Sequence, residues 1–160
     1  MDSAALLAQY GPYAGAAIYC FLGGFIPVFN IEAFLVFLSA GTETGQHWFL
    51  LALVTVTAHM AGKSLLYAAG RGAGSALSAS RRARVESVER RLQQWRFGPS
   101  AFVFASAGLG FPPFYAVALM AGTLRLGFRR FFLPGFAGRF LRFAALLLFP
   151  QAALRLFHAL

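Results

Sequence analysis

An acid inside an apolar run is the first residue that needs a reason. Glu32 lies in Phe29-Asn30-Ile31-Glu32-Ala33-Phe34-Leu35-Val36-Phe37, a stretch otherwise suited to hydrocarbon. A carboxylate there is costly unless it is paired, protonated or wet. It reads either as a proton- or substrate-coupling group or as half of a structural pair, with Lys63 or Arg139 as the partner. Thr55, His59, Lys63 and Tyr67 follow one another at i,i+4 steps and form one polar stripe on a helix, which should face a bundle interior. Lys63 either belongs to that stripe or snorkels its ammonium towards Gly70 and the interface. Arg139 and Arg142 are three apart and share a face. A guanidinium grips phosphate oxygens through two parallel hydrogen bonds, so lipid-phosphate recognition is one use for them and interfacial anchoring the other. Asn30, Glu32, His59, Lys63, Arg139 and Arg142 are therefore the candidate substrate or ion pathway.

Other chemistries find no support in the spacing. His47 and His158 are not placed to join His59 on a metal, and HExxH and CxxC patterns are absent. Cys20, the single cysteine, reads as a small buried hydrophobe. There is no nucleophile elbow, P-loop or zinc spacing, so no catalytic residue, cofactor or enzymatic activity is expected.

The elements that must carry these residues are four apolar blocks. The first, Tyr13 to Ala40, is broken by Gly23, Gly24, Pro27 and Asn30. The second, Trp48 to Ala69, is continuous and long enough to span a bilayer. The third, Ala101 to Leu124, is broken by Gly108, Gly110, Pro112 and Pro113. The fourth, Phe131 to Phe157, is long enough to span although it holds Pro134, Gly135, Gly138 and Pro150. Gly24-Phe25-Ile26-Pro27 is echoed by Gly110-Phe111-Pro112-Pro113, and Ser39-Ala40-Gly41 by Met120-Ala121-Gly122. The segment before each break is too short to cross. The economical reading is two re-entrant hairpins with tips at Gly24, Pro27, Gly110, Pro112 and Pro113, the pattern of an inverted-repeat transport site. Ordinary kinked spans are the alternative.

The bulk numbers agree with a lipid setting. Of 160 residues 59% are hydrophobic and 12% charged, with 19 Phe, against roughly 25% charged in soluble domains. The formal charge is +9. Thirteen of the 14 basic residues are Arg, and they sit mainly at the ends of apolar blocks, which argues for headgroup anchoring and against nucleic acid. The flanks of block one carry Asp2 and Glu43 and no base. Those of block three carry Arg71, Arg81, Arg82, Arg84, Arg90, Arg91 and Arg96 before it, and Arg125, Arg129 and Arg130 after it. Positive-inside placement then puts the first pair of flanks outside and the second in the cytoplasm. Val85, Val88, Leu92 and Trp95 mark one face of a basic amphipathic helix within 75–97, expected on the cytoplasmic leaflet. Residues 1–19 lack the basic start of a cleavable signal and carry Asp2. The expectation is one all-α integral membrane domain over 1–160. A first inverted half covers 1–70, the amphipathic segment 71–98, and a second half 99–160. One Lys against 13 Arg suggests a GC-rich bacterium and its inner membrane, crossed several times.

At this point the chain resembles the DedA family, also called the VTT or SNARE-associated Golgi protein family, in its short YqaA-type branch. The resemblance rests on Pro27-Val28-Phe29-Asn30-Ile31-Glu32, on Gly62 to Gly74 with Tyr67-Ala68-Ala69-Gly70-Arg71, on Pro112-Pro113 with Met120-Ala121-Gly122, and on Gly138-Arg139-Phe140-Leu141-Arg142-Phe143. It implies two re-entrant hairpins against spanning helices and a role in moving lipids, including polyprenyl phosphates, across membranes. It also implies that Glu32 is the acid after the hairpin proline and Arg139 the base opening the last helix. The chain departs from the family's pattern in having Gly23 and Gly24 where an earlier acid is usual, and no arginine beside Pro112-Pro113. The expected function is lipid or lipid-phosphate transfer, with membrane lipids as partners. A proton-coupled exporter of small solutes and a non-transporting scaffold are the competing expectations.

Overall fold

A computed structural model describes residues 3–41, 48–75 and 98–158. The amphipathic segment expected within 75–97 and the flank 42–47 lie outside the described residues. Among those described there are six helices and no strand: α1 Ser3–Phe25, α2 Ile31–Gly41, α3 Trp48–Ser75, α4 Gly98–Leu109, α5 Phe114–Thr123 and α6 Phe128–His158. α1 is kinked at Gly11, whose φ of 78° is open to glycine and strained for other residues.

Both Gly/Pro clusters end helices. From Tyr13 to Phe25 the apolar part of α1 is about 20 Å long, and the 12 residues of α4 make about 18 Å, against a hydrocarbon core of roughly 30 Å. Two helices are long and apolar enough to cross a membrane, over Trp48–Ala73 and Phe128–Phe149. α6 runs unbroken through Pro134. That proline removes the hydrogen bond to the Arg130 carbonyl one turn back, and Ser100 Oγ of α4 donates to this carbonyl at 3.4 Å.

The packing has a regular exchange. α1 lies along α3, the long helix that follows it, and α2 lies along α6. α4 lies along α6, again the long helix that follows, and α5 lies along α3. The two short helices flanking each break hardly touch each other. Glycines set the closest approaches. A Cβ on Gly62 would strike the Phe21 carbonyl and come within 3.0 Å of Gly24 Cα. A Cβ on Gly138 would lie 2.6 Å from the Phe104 carbonyl and 3.0 Å from Gly108 N. The glycine that answers Gly24 in this packing is thus Gly108, two residues before the Gly110 that the repeated Gly-Phe-x-Pro string selects.

Two apolar clusters result. The first joins Cys20, Leu35, Val56 and Phe143 across α1, α2, α3 and α6. The second joins Met60, Val103, Phe114 and Phe131 across α3, α4, α5 and α6. Outside them, large side chains such as Phe37, Phe49, Leu65, Phe102 and Leu133 stand exposed. That is a broad apolar exterior for so small a chain. At one end Thr123 Oγ1 donates to the Gly70 carbonyl and Tyr67 Oη to the Leu126 carbonyl, 2.5 Å away. Exposed Arg71, Arg125, Arg129 and Arg130 gather at this same end.

Candidate functional site

The site is built where helices stop. α1 ends at Phe25 and α2 begins at Ile31, and Asn30 caps the new helix by accepting the Ala33 N–H on its side-chain oxygen at 3.0 Å. Glu32 then falls in the first turn of α2, where the helix dipole favours an acid. The second break is pinned differently. Gly110, with φ 82°, continues from the Ser106 carbonyl through its N–H, and Ser106 Oγ donates to the Pro112 carbonyl at 2.7 Å. Pro113 precedes α5 with no side-chain cap.

A cavity of about 460 Å³ opens between the two breaks. Pro27, Asn30 and Glu32 line it from the first break, and Gly110 and Pro113 from the second. The long helices contribute His59, Lys63 and Arg139. Five of the six pathway candidates from the sequence thus share one lining. The sixth, Arg142, adjoins it by holding Glu32. Of the tip residues, Gly24 lies at the α1–α3 crossing against the His59 backbone, and Pro112 serves as the acceptor for Ser106.

Lys63 is 4% exposed and His59 2%, so the lysine is buried beside the cavity and does not reach out along the helix. Thr55 is buried too, but its hydroxyl is spent on the Leu51 and Ala52 carbonyls of its own helix. His59 Nδ1 lies 3.3 Å from the Cys20 carbonyl. It is therefore the donor there, and Nε2 is left as an acceptor when the ring is neutral. That Nε2 is buried with no hydrogen-bond partner, as is Arg139 Nε. The Arg139 guanidinium rests on the Phe114 ring at 5.1 Å and nears Phe143 at 5.9 Å. Neither Lys63 nor Arg139 forms an ion pair among the described residues.

Glu32 is the only acid among the described residues, and neither Lys63 nor Arg139 is its partner. Arg142 holds it, with Nε at 3.0 Å and Nη2 at 2.5 Å from Oε1. Arg142 Nη1 also donates to the Gly108 carbonyl at 2.9 Å. One guanidinium therefore ties the start of α2 to the end of α4. Arg139 and Arg142 share a broad face, yet three residues on a helix still separate them by about 60°. That angle is enough to send one into the cavity and the other across the two breaks.

The cations arrive in matching fashion. Lys63 follows Gly62, the glycine on which α1 crosses α3. Arg139 follows Gly138, the glycine on which α4 crosses α6. Each long helix thus brings one base to the same space, between the two apolar clusters. The sequence marked these polar residues but not what holds the site around them: Ser106 pins the second break, the Phe114 ring carries the Arg139 guanidinium, and the Cys20 carbonyl holds His59. Ser106 was legible as a polar residue one turn before Gly110 in an apolar helix. The aromatic seats gave no signal among so many Phe. No group of three or more His, Cys, Asp and Glu comes together among the described residues. Buried donors and positive charge suit an anion. Comparison with known protein families, with curated proteins and with solved structures finds no match to this chain.

Proposed function

We propose that this chain is a multi-pass membrane protein of the DedA type, in the bacterial inner membrane, that moves anionic lipids between leaflets. The observation that carries the reading is the pair Lys63 and Arg139. Lys63 is buried and Arg139 half-buried in an apolar molecule, neither is in an ion pair among the described residues, and both line a cavity between two helix breaks. Buried ionisable groups in such a setting mark a substrate path. A phosphate headgroup supplies the missing acceptors, while the chains stay outside the polar cavity.

The exchange of short helices between the two long ones supports an inverted repeat, each half a re-entrant hairpin followed by a span. The arginines gathered at the Tyr67 end support a cytoplasmic location for that end. The broad apolar exterior supports burial in lipid. The ion pair with Arg142 supports a place for Glu32 in the frame that holds the two breaks together, in preference to the coupling acid of an exporter.

The test is lipid transfer in vesicles reconstituted with purified protein. Arg139→Ala and Lys63→Ala each abolish transfer of an anionic lipid while the helical circular dichroism signal is retained. Wild-type rates in both would sink the assignment. Transfer persists when a pH gradient is collapsed, whereas export coupled to protons would stop. Cysteines placed at Tyr13 and Gly41 react with a membrane-impermeant reagent from the same side. Labelling from opposite sides would replace the first hairpin by a span.

A further inference from the structure

A second hollow lies on the other side of Arg142. It is a groove of about 690 Å³, within the range of roughly 300–1,000 Å³ typical of small-molecule sites. Its floor is α6, with Leu141, Ala145 and Phe149 at i, i+4 and i+8, and its walls are Val36 of α2 and Leu109 of α4. Small residues at Ala105, Gly108 and Ala145 give it depth. Arg142 is the one charged residue in its lining.

We propose that this groove holds one hydrocarbon chain of the same anionic lipid whose headgroup enters the polar cavity, with the Arg142–Glu32 pair as the threshold between them. The inference rests on the lipid-transfer reading above. The adjacency of the two hollows, on either side of one ion pair, carries it. Arg142 lines the groove, while Glu32 and Gly110, both packed against its guanidinium, line the polar cavity. The aliphatic stem of an arginine suits an apolar wall and its head suits a polar one. Two adjoining hollows of opposite character fit an amphiphile. A headgroup-only solute leaves the groove without a use, and a plain hydrocarbon leaves Lys63 and Arg139 unanswered.

The experiment uses the full chain in vesicles containing an anionic glycerophospholipid with a photoactivatable diazirine in one acyl chain. A parallel arm carries the same chain on a zwitterionic headgroup. Labels are expected on Leu109, Leu141 and Ala145, several-fold stronger for the anionic probe. Ala145→Trp, at an exposed position that tolerates bulk, is expected to remove the labels and slow transfer several-fold. Val36→Trp fills the groove from the opposite wall and should act alike. Equal labelling of groove residues and of other exposed side chains such as Phe37 and Leu65, regardless of headgroup, overturns the proposal. So does efficient disulfide formation between two chains carrying Leu141→Cys, which would assign the groove to a second copy. Wild-type transfer in both tryptophan variants while Arg139→Ala is inactive sinks the groove alone. Wild-type transfer in Arg139→Ala sinks the underlying reading as well.

Discussion

Arg139 and Arg142 stand one turn apart on α6, and their replacement by methionine should move stability in opposite directions. Arg139 Nε is buried with no partner, a condition that costs about 1–3 kcal/mol. Its stacking on Phe114 and Phe143 offsets this by about 0.5–2 kcal/mol. Methionine fills much the same space with an apolar, adaptable chain. Arg139→Met therefore stabilises the fold by roughly 1 kcal/mol, the balance of those two effects. Arg142→Met removes the bonds to Glu32 and to the Gly108 carbonyl. The Glu32 side chain is 47% exposed, so water re-solvates the carboxylate, and the loss is about 1–2 kcal/mol, well short of that for a fully buried pair. Equilibrium unfolding in mixed detergent micelles, titrated with a denaturing detergent and followed by far-ultraviolet circular dichroism, reads both shifts against wild type. The same variants go into the lipid-transfer assay, where Arg139→Met is inactive in spite of its added stability. A side chain that costs the fold stability marks a functional site. Should Arg139→Met destabilise the protein as Arg142→Met does, Arg139 is a structural strut and the argument for an anion site fails.

Gly62→Ala drives its Cβ into the backbone of α1, which cannot rotate aside, and lowers stability by about 1–3 kcal/mol. Gly72→Ala, whose Cβ meets nothing within 4 Å, raises it by up to about 1 kcal/mol; the same unfolding titration checks both, and a loss of equal size at the two sites would refute the crossing geometry. Asn30→Ala forfeits the cap on α2 and costs about 1 kcal/mol, seen as faster amide exchange at Ile31 to Ala33, while Asn30→Asp restores protection.

Much of this arrangement was legible as punctuation. Gly24 with Pro27, and Gly110 with Pro112-Pro113, are residues that end helices, and the structure ends helices there. Trp48 to Ala69 read as a long helix because nothing in it interrupts. Pro134 shows the limit of punctuation. It sits inside α6 without breaking it, because Ser100, 34 positions earlier, stands beside the carbonyl that it frees. The partner of Glu32 was illegible for the same reason. Lys63, Arg139 and Arg142 are equally basic in the sequence, and only the crossing angles of three helices decide which reaches a carboxylate 110 residues away.

The echo between the two broken stretches depends on which letters are matched. Matching the proline strings pairs Gly24 with Gly110, whereas the helix crossings pair Gly24 with Gly108, and with them Gly62 with Gly138 and Lys63 with Arg139. The two readings differ because a tip need only turn the chain, which many Gly/Pro orders achieve, while the close crossings leave no room for a Cβ on Gly24, Gly62 or Gly138. The residue after a crossing glycine points about 100° away from the neighbouring helix. In α3 and in α6 alike that direction leads to the space between the breaks. The close crossings and the placement of charge are thus one device. The glycine that seats each short helix also fixes the azimuth of the cation beside it, so a change that pries α1 from α3 should turn Lys63 out of the cavity before it unfolds anything.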